Sequence, residues 1–298
     1  MTGEGVLRPQ LRTTLAAAGL DPAEVVRVVR RALEEDLALG PDVTTNSTVP
    51  AEASAVGDVV PRVAGVLAGV SVAAAVFDLV GGPGVGIEMH AADGCPAHPG
   101  RAALTVHGPA RSLLTAERTA LNLIGHLSGV ASLTRRWVDA VAGTGAAIRD
   151  TRKTTPGLRV LEKYAVRCGG GVNHRMALGD AALVKDNHVA AAGGITAAVG
   201  AVRAHAPGVA LEVECDTLDQ VREAVAAGVE LVLLDNFSLD DTRAAVDLVR
   251  GSAVRLEASG GLDLSRARDV AATGVDYLAV GALTHSAPVL DLGFDLRS

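Results

Sequence analysis

The sequence predicts an α/β protein whose larger part is a TIM-like barrel of repeated βα units, preceded by a smaller module of mixed elements. Three observations carry that expectation. After Gly145 each apolar run of strand length is followed by an amphipathic helical segment, the runs being AAIRDT, AALVKD, VALEVEC, ELVLLDN, AVRLEAS and DYLAVGA. Two of the units resemble each other, AVAAGVELVLLD and VAATGVDYLAVG each placing Ala-x-Gly-Val-acid just before the strand. The 49% hydrophobic content is mostly Ala, Val and Leu with only 2% aromatic residues, which suits close packing of helices on a sheet. Repeats of roughly 20 to 45 residues predict parallel strands joined by right-handed helical crossovers. Six or seven such units fit a barrel short of the full eight strands, with an open doubly wound sheet as the competing architecture.

The elements follow in order. DPAEVVRVVRRALEEDLALG starts with Asp21 as an N-cap, Pro22 at the first helical position and Glu24 at the third, and stops at Gly40-Pro41; this is the signature of a helix. From Val43 to His107 short apolar runs alternate with punctuation such as GGPGVG and ADGCPAHPG, so strands and turns are expected, with one helix near Val70 to Val80. SLLTAERTALNLIGHLSGVASLTRRWVDAVAG reads as two helical stretches bent at Gly125 and Gly129, with a domain boundary near Leu121.

A chain of 298 residues can bury a large core. Its formal net charge of -7 argues against general nucleic-acid binding, which needs a surplus of Lys and Arg. Cys95, Cys168 and Cys215 are odd in number and form no C-x-x-C, so neither a disulfide framework nor a Cys-rich zinc site is expected, and a reducing, cytoplasmic setting is. MTGEGVLRPQ has no signal-peptide pattern, and the longest uncharged apolar stretch, Val63 to Phe77, is too short to span a bilayer.

Within this acidic chain, DTRKTTPGLRVLEKYAVRCGGGVNHR (Asp150 to Arg175) holds six of the 27 Lys and Arg. The polar or glycyl strand ends are Arg152-Lys153, Lys185-Asp186, Glu214, Asp235-Asn236, Ser259-Gly260-Gly261 and Gly281. A parallel barrel opens all such ends on one face, where its ligand sites lie. Strand parity puts Glu212 and Glu214 on one face, and Arg255, Glu257 and Ser259 on one face, each set opposite its apolar neighbours. Like charges about 8 Å apart repel by roughly 2 kcal/mol at an effective dielectric near 20. Gathering Arg152, Lys153, His174, Arg175 and Lys185 therefore implies an anionic ligand, with Glu214, Asp235 and Glu257 offsetting part of the charge. Phosphate and carboxylate groups suit Arg forks and Lys point charges. ASGG after a strand lets backbone N–H groups approach a phosphate, whereas GGGVNH and GGPGVG are expected to be turns. His90, His98, His107 and His205 are expected to be ordinary surface or core residues.

The basic stretch Asp150 to Arg175, followed in order by LVKDNH, LEVECD, LLDNF, LEASGG and AVGALTHS, resembles the quinolinate phosphoribosyltransferase family over essentially the whole chain after about residue 25. The resemblance implies an N-terminal α/β sandwich domain (residues 1–120, joined by 288–298) and an incomplete, seven-stranded α/β barrel (121–287). It implies a homodimer using Mg2+ to join quinolinate to phosphoribosyl pyrophosphate, with loss of carbon dioxide, in NAD biosynthesis. By the same resemblance Arg152, His174 and Arg175 meet the quinolinate carboxylates, with Arg118 supplied across the dimer interface. Lys153 and Lys185 touch both substrates, Glu214 and Asp235 hold the ribose hydroxyls and Mg2+, and Ser259, Gly260, Gly261 and Gly281 form the 5′-phosphate loops with His285 adjacent. Two rivals stay open on the residues alone: an aldolase using Lys185 as a Schiff-base nucleophile, and a non-catalytic phosphate-metabolite-binding homologue.

Overall fold

Local signals decide where the helices begin. In the computed structural model, which describes residues 7–297, the helix Pro22–Asp36 starts where capping predicts, with Asp21 Oδ1 accepting from the Ala23 amide at 2.9 Å. It turns Val25, Val28, Val29 and Leu33 inward. The helix Val70–Gly81 also falls where expected and is buried along most of its length. Two short helices, Pro9–Ala17 and Val43–Thr48, are additions to the sequence reading. The second stands where strands are expected because Asp42 caps it, accepting from the Thr45 amide at 2.9 Å.

The chain divides into two compact units. One comprises the described parts of Met1–Arg135 and Thr284–Ser298, together with Thr154–Gly170. Its strands are β1 (Ser54–Pro61), β2 (Gly65–Val66), β3 (Gly86–Met89), β4 (Pro96–Ala97), β5 (Leu104–Pro109) and β12 (Leu292–Arg297). They form an antiparallel sheet in the order β12-β1-β5-β3 and a small β2-β4 ribbon.

Two boundaries differ from the sequence reading. The chain around Leu121 is neither a boundary nor the start of a bend: Ala110–Ala140 is one helix. Gly125 and Gly129 leave it unbroken and instead admit a neighbouring segment. A Cβ on Gly129 would sit 2.1 Å from the Pro288 carbonyl oxygen, and the Leu290 amide donates to the Gly125 carbonyl at 3.0 Å. The first unit accordingly runs on to Arg135. It also takes up Thr154–Gly170, because the helix Arg159–Cys168 buries Leu161, Glu162, Tyr164 and Val166 there. Fully buried Glu162 accepts from the Thr155 amide at 3.0 Å and meets His126 Nε2 at 2.8 Å.

The second unit, Arg136–Lys153 and Gly171–Leu283, holds β6 (Ala147–Arg149), β7 (Ala181–Val184), β8 (Ala210–Cys215), β9 (Leu231–Asp235), β10 (Arg255–Ser259) and β11 (Tyr277–Ala279). These are the six apolar runs of the repeat. All pair in parallel, in the order β6-β11-β10-β9-β8-β7. Regular strands in this sheet thus number six among the described residues, against the seven the resemblance implies. At the outer edge of β6, Val172 makes a single parallel bridge to Arg149. Two of the intervening helices start on side-chain caps: Thr217 and Gln220 form a reciprocal capping box at Leu218–Ala226, and Ser238 caps Leu239–Val249. No helix among the described residues is long and apolar enough to cross a membrane.

Candidate active site

The parallel strands of the second unit end together, and their last residues surround one pocket of about 410 Å3. Thr151, Arg152 and Lys153 follow β6, Lys185 follows β7, and Glu214, Asp235, Ser259 and Ala279 lie at the ends of β8 to β11. His174, Arg175, Leu183, Leu233 and Glu257 complete the lining. Of the six cations in the basic stretch, Arg152, Lys153 and Arg175 line this pocket, whereas Arg159, Lys163 and Arg167 belong to the first unit.

Charge inside the pocket is unevenly matched. Lys185 Nζ pairs with Glu214 Oε2. Asp235 Oδ2 accepts from the neighbouring Asn236 side chain at 2.8 Å. Behind them Glu257, fully buried, is held by Arg149 Nη1 at 2.6 Å, and Arg149 in turn lies over the Tyr277 ring at 4.7 Å. Four cations, Arg152, Lys153, Arg175 and Lys185, share the lining with Glu214 and Asp235, while Glu257 is held by Arg149 from outside the lining. Burial pulls the Arg175 guanidinium below its ordinary range, and the nearby charge of Arg152 pulls it further. A cation destabilised in this way is ready to gain from a bound anion.

The segment carrying His174 and Arg175 is anchored from below. Buried Asp150 accepts from the His174 amide at 2.8 Å and from Asn173 Nδ2 at 2.5 Å. His174 lines the pocket, yet both its ring nitrogens meet its own chain: Nδ1 accepts from the Arg175 amide at 2.8 Å, and Nε2 lies 2.6 Å from Glu212 Oε2. Arg175 Nη1 donates to the Ala181 carbonyl at 2.9 Å. Asp180 accepts from the Met176 and Ala177 amides, which holds its carboxyl below the usual range against the opposing effect of burial and ties the following loop. Burial, then the charge of Glu212, pushes the Glu257 carboxyl up to about 7.

The glycine turn after β10 is built against backbone. Gly260 has φ +89° and Gly261 φ +57°, and a Cβ on Gly260 would lie 2.3 Å from Asn236 Oδ1 and 2.8 Å from Asn236 N. Only glycine fits the first of these places without displacing the Asn236 backbone. The chain then passes to a 3-10 turn, Leu264–Arg266, capped by Asp263, so no α-helix starts directly at the glycines. Gly281 follows β11 in the same unit. Gly169 of GGGVNH is a close-packing residue, since a Cβ there would lie 2.5 Å from the Ala131 carbonyl oxygen.

Two expected site residues lie in the first unit and are not among those lining the pocket. Arg118 is exposed on the helix Ala110–Ala140, and His285 is exposed at the end of Ala282–His285 with Nδ1 2.6 Å from Ser286 Oγ. Sequence reasoning missed the supports Asp150, Arg149 and Tyr277 and the apolar lining residues Leu183 and Leu233. Parity carried a signal for the last two: each stands two positions before Lys185 or Asp235, on the same strand face. Arg255, placed by parity with Glu257, is exposed and donates to Tyr277 Oη at 2.6 Å.

Known proteins resemble this chain in sequence and in fold. Residues 42–128 match the family model "Quinolinate phosphoribosyl transferase, N-terminal domain" and residues 130–295 the corresponding C-terminal domain. The nicotinate-nucleotide pyrophosphorylase [carboxylating] of Mycobacterium leprae is 56% identical over 271 residues, spanning 90% of this chain and 95% of that protein. Among solved structures, the nicotinate-nucleotide pyrophosphorylase of Francisella tularensis superposes with a TM-score of 0.86 at 37% identity, covering 92% of this chain and 96% of that one. NadC from Streptococcus pyogenes superposes with a TM-score of 0.89 at 41% identity, covering 93% and 98%.

Proposed function

The chain belongs to the quinolinate phosphoribosyltransferase family, and on that premise we infer that it is a decarboxylating pentosyltransferase of NAD biosynthesis. It joins quinolinate to phosphoribosyl pyrophosphate and yields nicotinate mononucleotide, pyrophosphate and carbon dioxide. The observation that carries this reading is the pocket at the strand ends, where Arg152, Lys153, Arg175 and Lys185 stand together. A substrate with two carboxylates and another with phosphates are the ligands such a set suits.

Arg152 and Arg175 hold the quinolinate carboxylates as charge-assisted forks, which aims the pyridine nitrogen at the anomeric carbon. The nitrogen–carbon bond forms as the bond from that carbon to the pyrophosphate oxygen breaks. Positive charge develops on the ribose, and Glu214 and Asp235 stabilise it while Lys153 and Lys185 neutralise the departing phosphates. The ring nitrogen, now quaternary, stabilises by its positive charge the electron pair left on the ring carbon when the 2-carboxylate departs as carbon dioxide, and that pair then bonds a solvent proton to form the new C–H bond. No side chain has to act as a strong acid or base. Ser259, Gly260, Gly261 and Gly281 receive the 5′-phosphate, a role supported by the glycine turn that a Cβ would fill.

The donor set also fits Mg2+. Glu214 and Asp235 are hard oxygen donors in the same pocket, each with a second carboxylate oxygen that has no protein partner among the described residues. When bound, the ion supplies charge neutralisation on the pyrophosphate.

We read the second unit as an incomplete barrel opened between β6 and β7. The strand order supports this, since β7 to β11 lie side by side in sequence order and β11 then pairs with β6, so that the order runs in a circle as it does around a barrel. Val172, bridged to β6, is the remnant of a further strand in this reading. The active form is a homodimer in which Arg118 of a second copy, and His285, complete the substrate contacts; the exposure of Arg118 on its helix is consistent with that supply. The three free cysteines suit a cytoplasmic setting.

Lys185 is a poor Schiff-base nucleophile here, because its Nζ is engaged by the Glu214 carboxylate and is not left open to a substrate carbonyl. Purified protein given quinolinate, phosphoribosyl pyrophosphate and Mg2+ is expected to release carbon dioxide and pyrophosphate in equal amounts. Release of neither would overturn the assignment.

A further inference from the structure

The His174 imidazole is bonded at both nitrogens inside the second unit, and the two bonds together fix its proton. A backbone amide can only donate, so the 2.8 Å contact from the Arg175 N–H requires a lone pair on Nδ1. The ring proton then sits on Nε2, where Glu212 Oε2 accepts it at 2.6 Å. Glu212 is 4% exposed and Glu257 0%. Glu257 Oε1 stands 3.8 Å from the same Nε2, and Arg149 holds the other Glu257 oxygen. Neither Glu212 Oε1 nor Glu257 Oε1 has a hydrogen-bond partner among the described residues, so the imidazole N–H and Arg149 are the donors set against this pair of buried acids.

We propose that His174 is a neutral, Nε2–H positioning residue rather than a cationic ligand, and that Glu212, backed by Glu257 and Arg149, holds that tautomer so that the Arg175 amide and side chain are correctly placed. Recognition of the doubly negative ring then falls to the permanently charged guanidiniums of Arg152 and Arg175. The same geometry argues against a cation bound by His174, Glu212 and Glu257, although their ligand atoms lie within 4.8 Å of one another. A metal on Nε2 would move the ring proton to Nδ1, against the Arg175 N–H.

The proposal rests on the quinolinate reading only for its kinetic consequence. Nitrogen-15 NMR of the histidine-labelled full-length enzyme is expected to show the neutral Nε2–H pattern for His174 at pH 7, both alone and with quinolinate. An imidazolium or an Nδ1–H pattern in either state overturns the proposal, and turnover of quinolinate by the wild-type enzyme tests the parent reading separately. Glu212→Ala should raise KM for quinolinate roughly tenfold while KM for phosphoribosyl pyrophosphate stays within about threefold. Glu212→Gln, which keeps an acceptor for Nε2–H without the charge, should recover most of that loss. A Gln variant as impaired as the Ala variant would mean that the carboxylate charge supports an imidazolium, and would sink the idea. If Glu212→Ala does not fold, the wild-type spectrum and the Gln variant still decide.

Discussion

Replacing Arg175 with Gln separates what the pocket does for its ligand from what it costs the empty protein. In the free enzyme the Arg175 guanidinium is partly desolvated beside Arg152, and both effects disfavour its charge. Two charges about 8 Å apart in an effective dielectric near 20 repel by roughly 2 kcal/mol, so the substitution relieves strain of at most that order. Against this stands the loss of one hydrogen bond to the Ala181 carbonyl, which contributes about 0.5–1.5 kcal/mol. The terms nearly cancel, and Tm should move by no more than about 3 °C. Binding changes far more, because a hydrogen bond to a charged group is worth about 1.5–3 kcal/mol. That predicts a fall in kcat/KM for quinolinate of roughly 10- to 150-fold. Steady-state kinetics with each substrate varied in turn, alongside thermal unfolding, read both quantities. Equal rises in KM for quinolinate and phosphoribosyl pyrophosphate, or a large drop in Tm with unchanged kinetics, would refute the reasoning by making Arg175 a general structural residue.

Other parts of the account are open to equally direct tests. Gly260→Ala forces a Cβ to 2.8 Å from the Asn236 backbone nitrogen at a left-handed φ; KM for phosphoribosyl pyrophosphate should rise at least about tenfold, with quinolinate less affected. Gly129→Val drives a side chain into the Pro288 carbonyl, and should destabilise the protein by about 3 kcal/mol or more in denaturant unfolding without selectively changing either KM. Because burial raises the Glu257 carboxyl to about 7, its contribution to stability is complete below the ordinary carboxylate value near 4.5 and is lost as pH rises through about 7. Thermal unfolding of Glu257→Gln should therefore fall less between pH 5 and 8 than that of the wild type. Borohydride added during turnover should trap no substrate adduct on Lys185, as read by mass spectrometry; a trapped adduct would revive the aldolase reading.

The strand ends were legible because chemistry and period coincide there. Lys185, Glu214, Asp235 and Ser259 each close an apolar run, and the structure brings all four to one pocket. Local capping made Pro22–Asp36 equally readable. The boundary near Leu121 was not legible, because Gly125 and Gly129 look like helix breakers until the segment they admit is known. The fate of Thr154–Gly170 was hidden for a similar reason: Lys163 reads as part of a cationic patch, yet it is fully buried in the first unit. His174 was found by position, but the bonds its ring makes at both nitrogens, to Glu212 and to the Arg175 amide, leave no trace in sequence. Asp150 and Arg149 belong to the same class of hidden support.

The account turns on a pocket whose positive charge is matched to a ring with two carboxylates. Calorimetric titration of the purified enzyme with quinolinate and with nicotinate, at equal ionic strength, measures that match without any chemical step. The account predicts that quinolinate binds at least about tenfold more tightly, the difference falling as salt rises. Equal affinity for the two ligands, insensitive to salt, would contradict it.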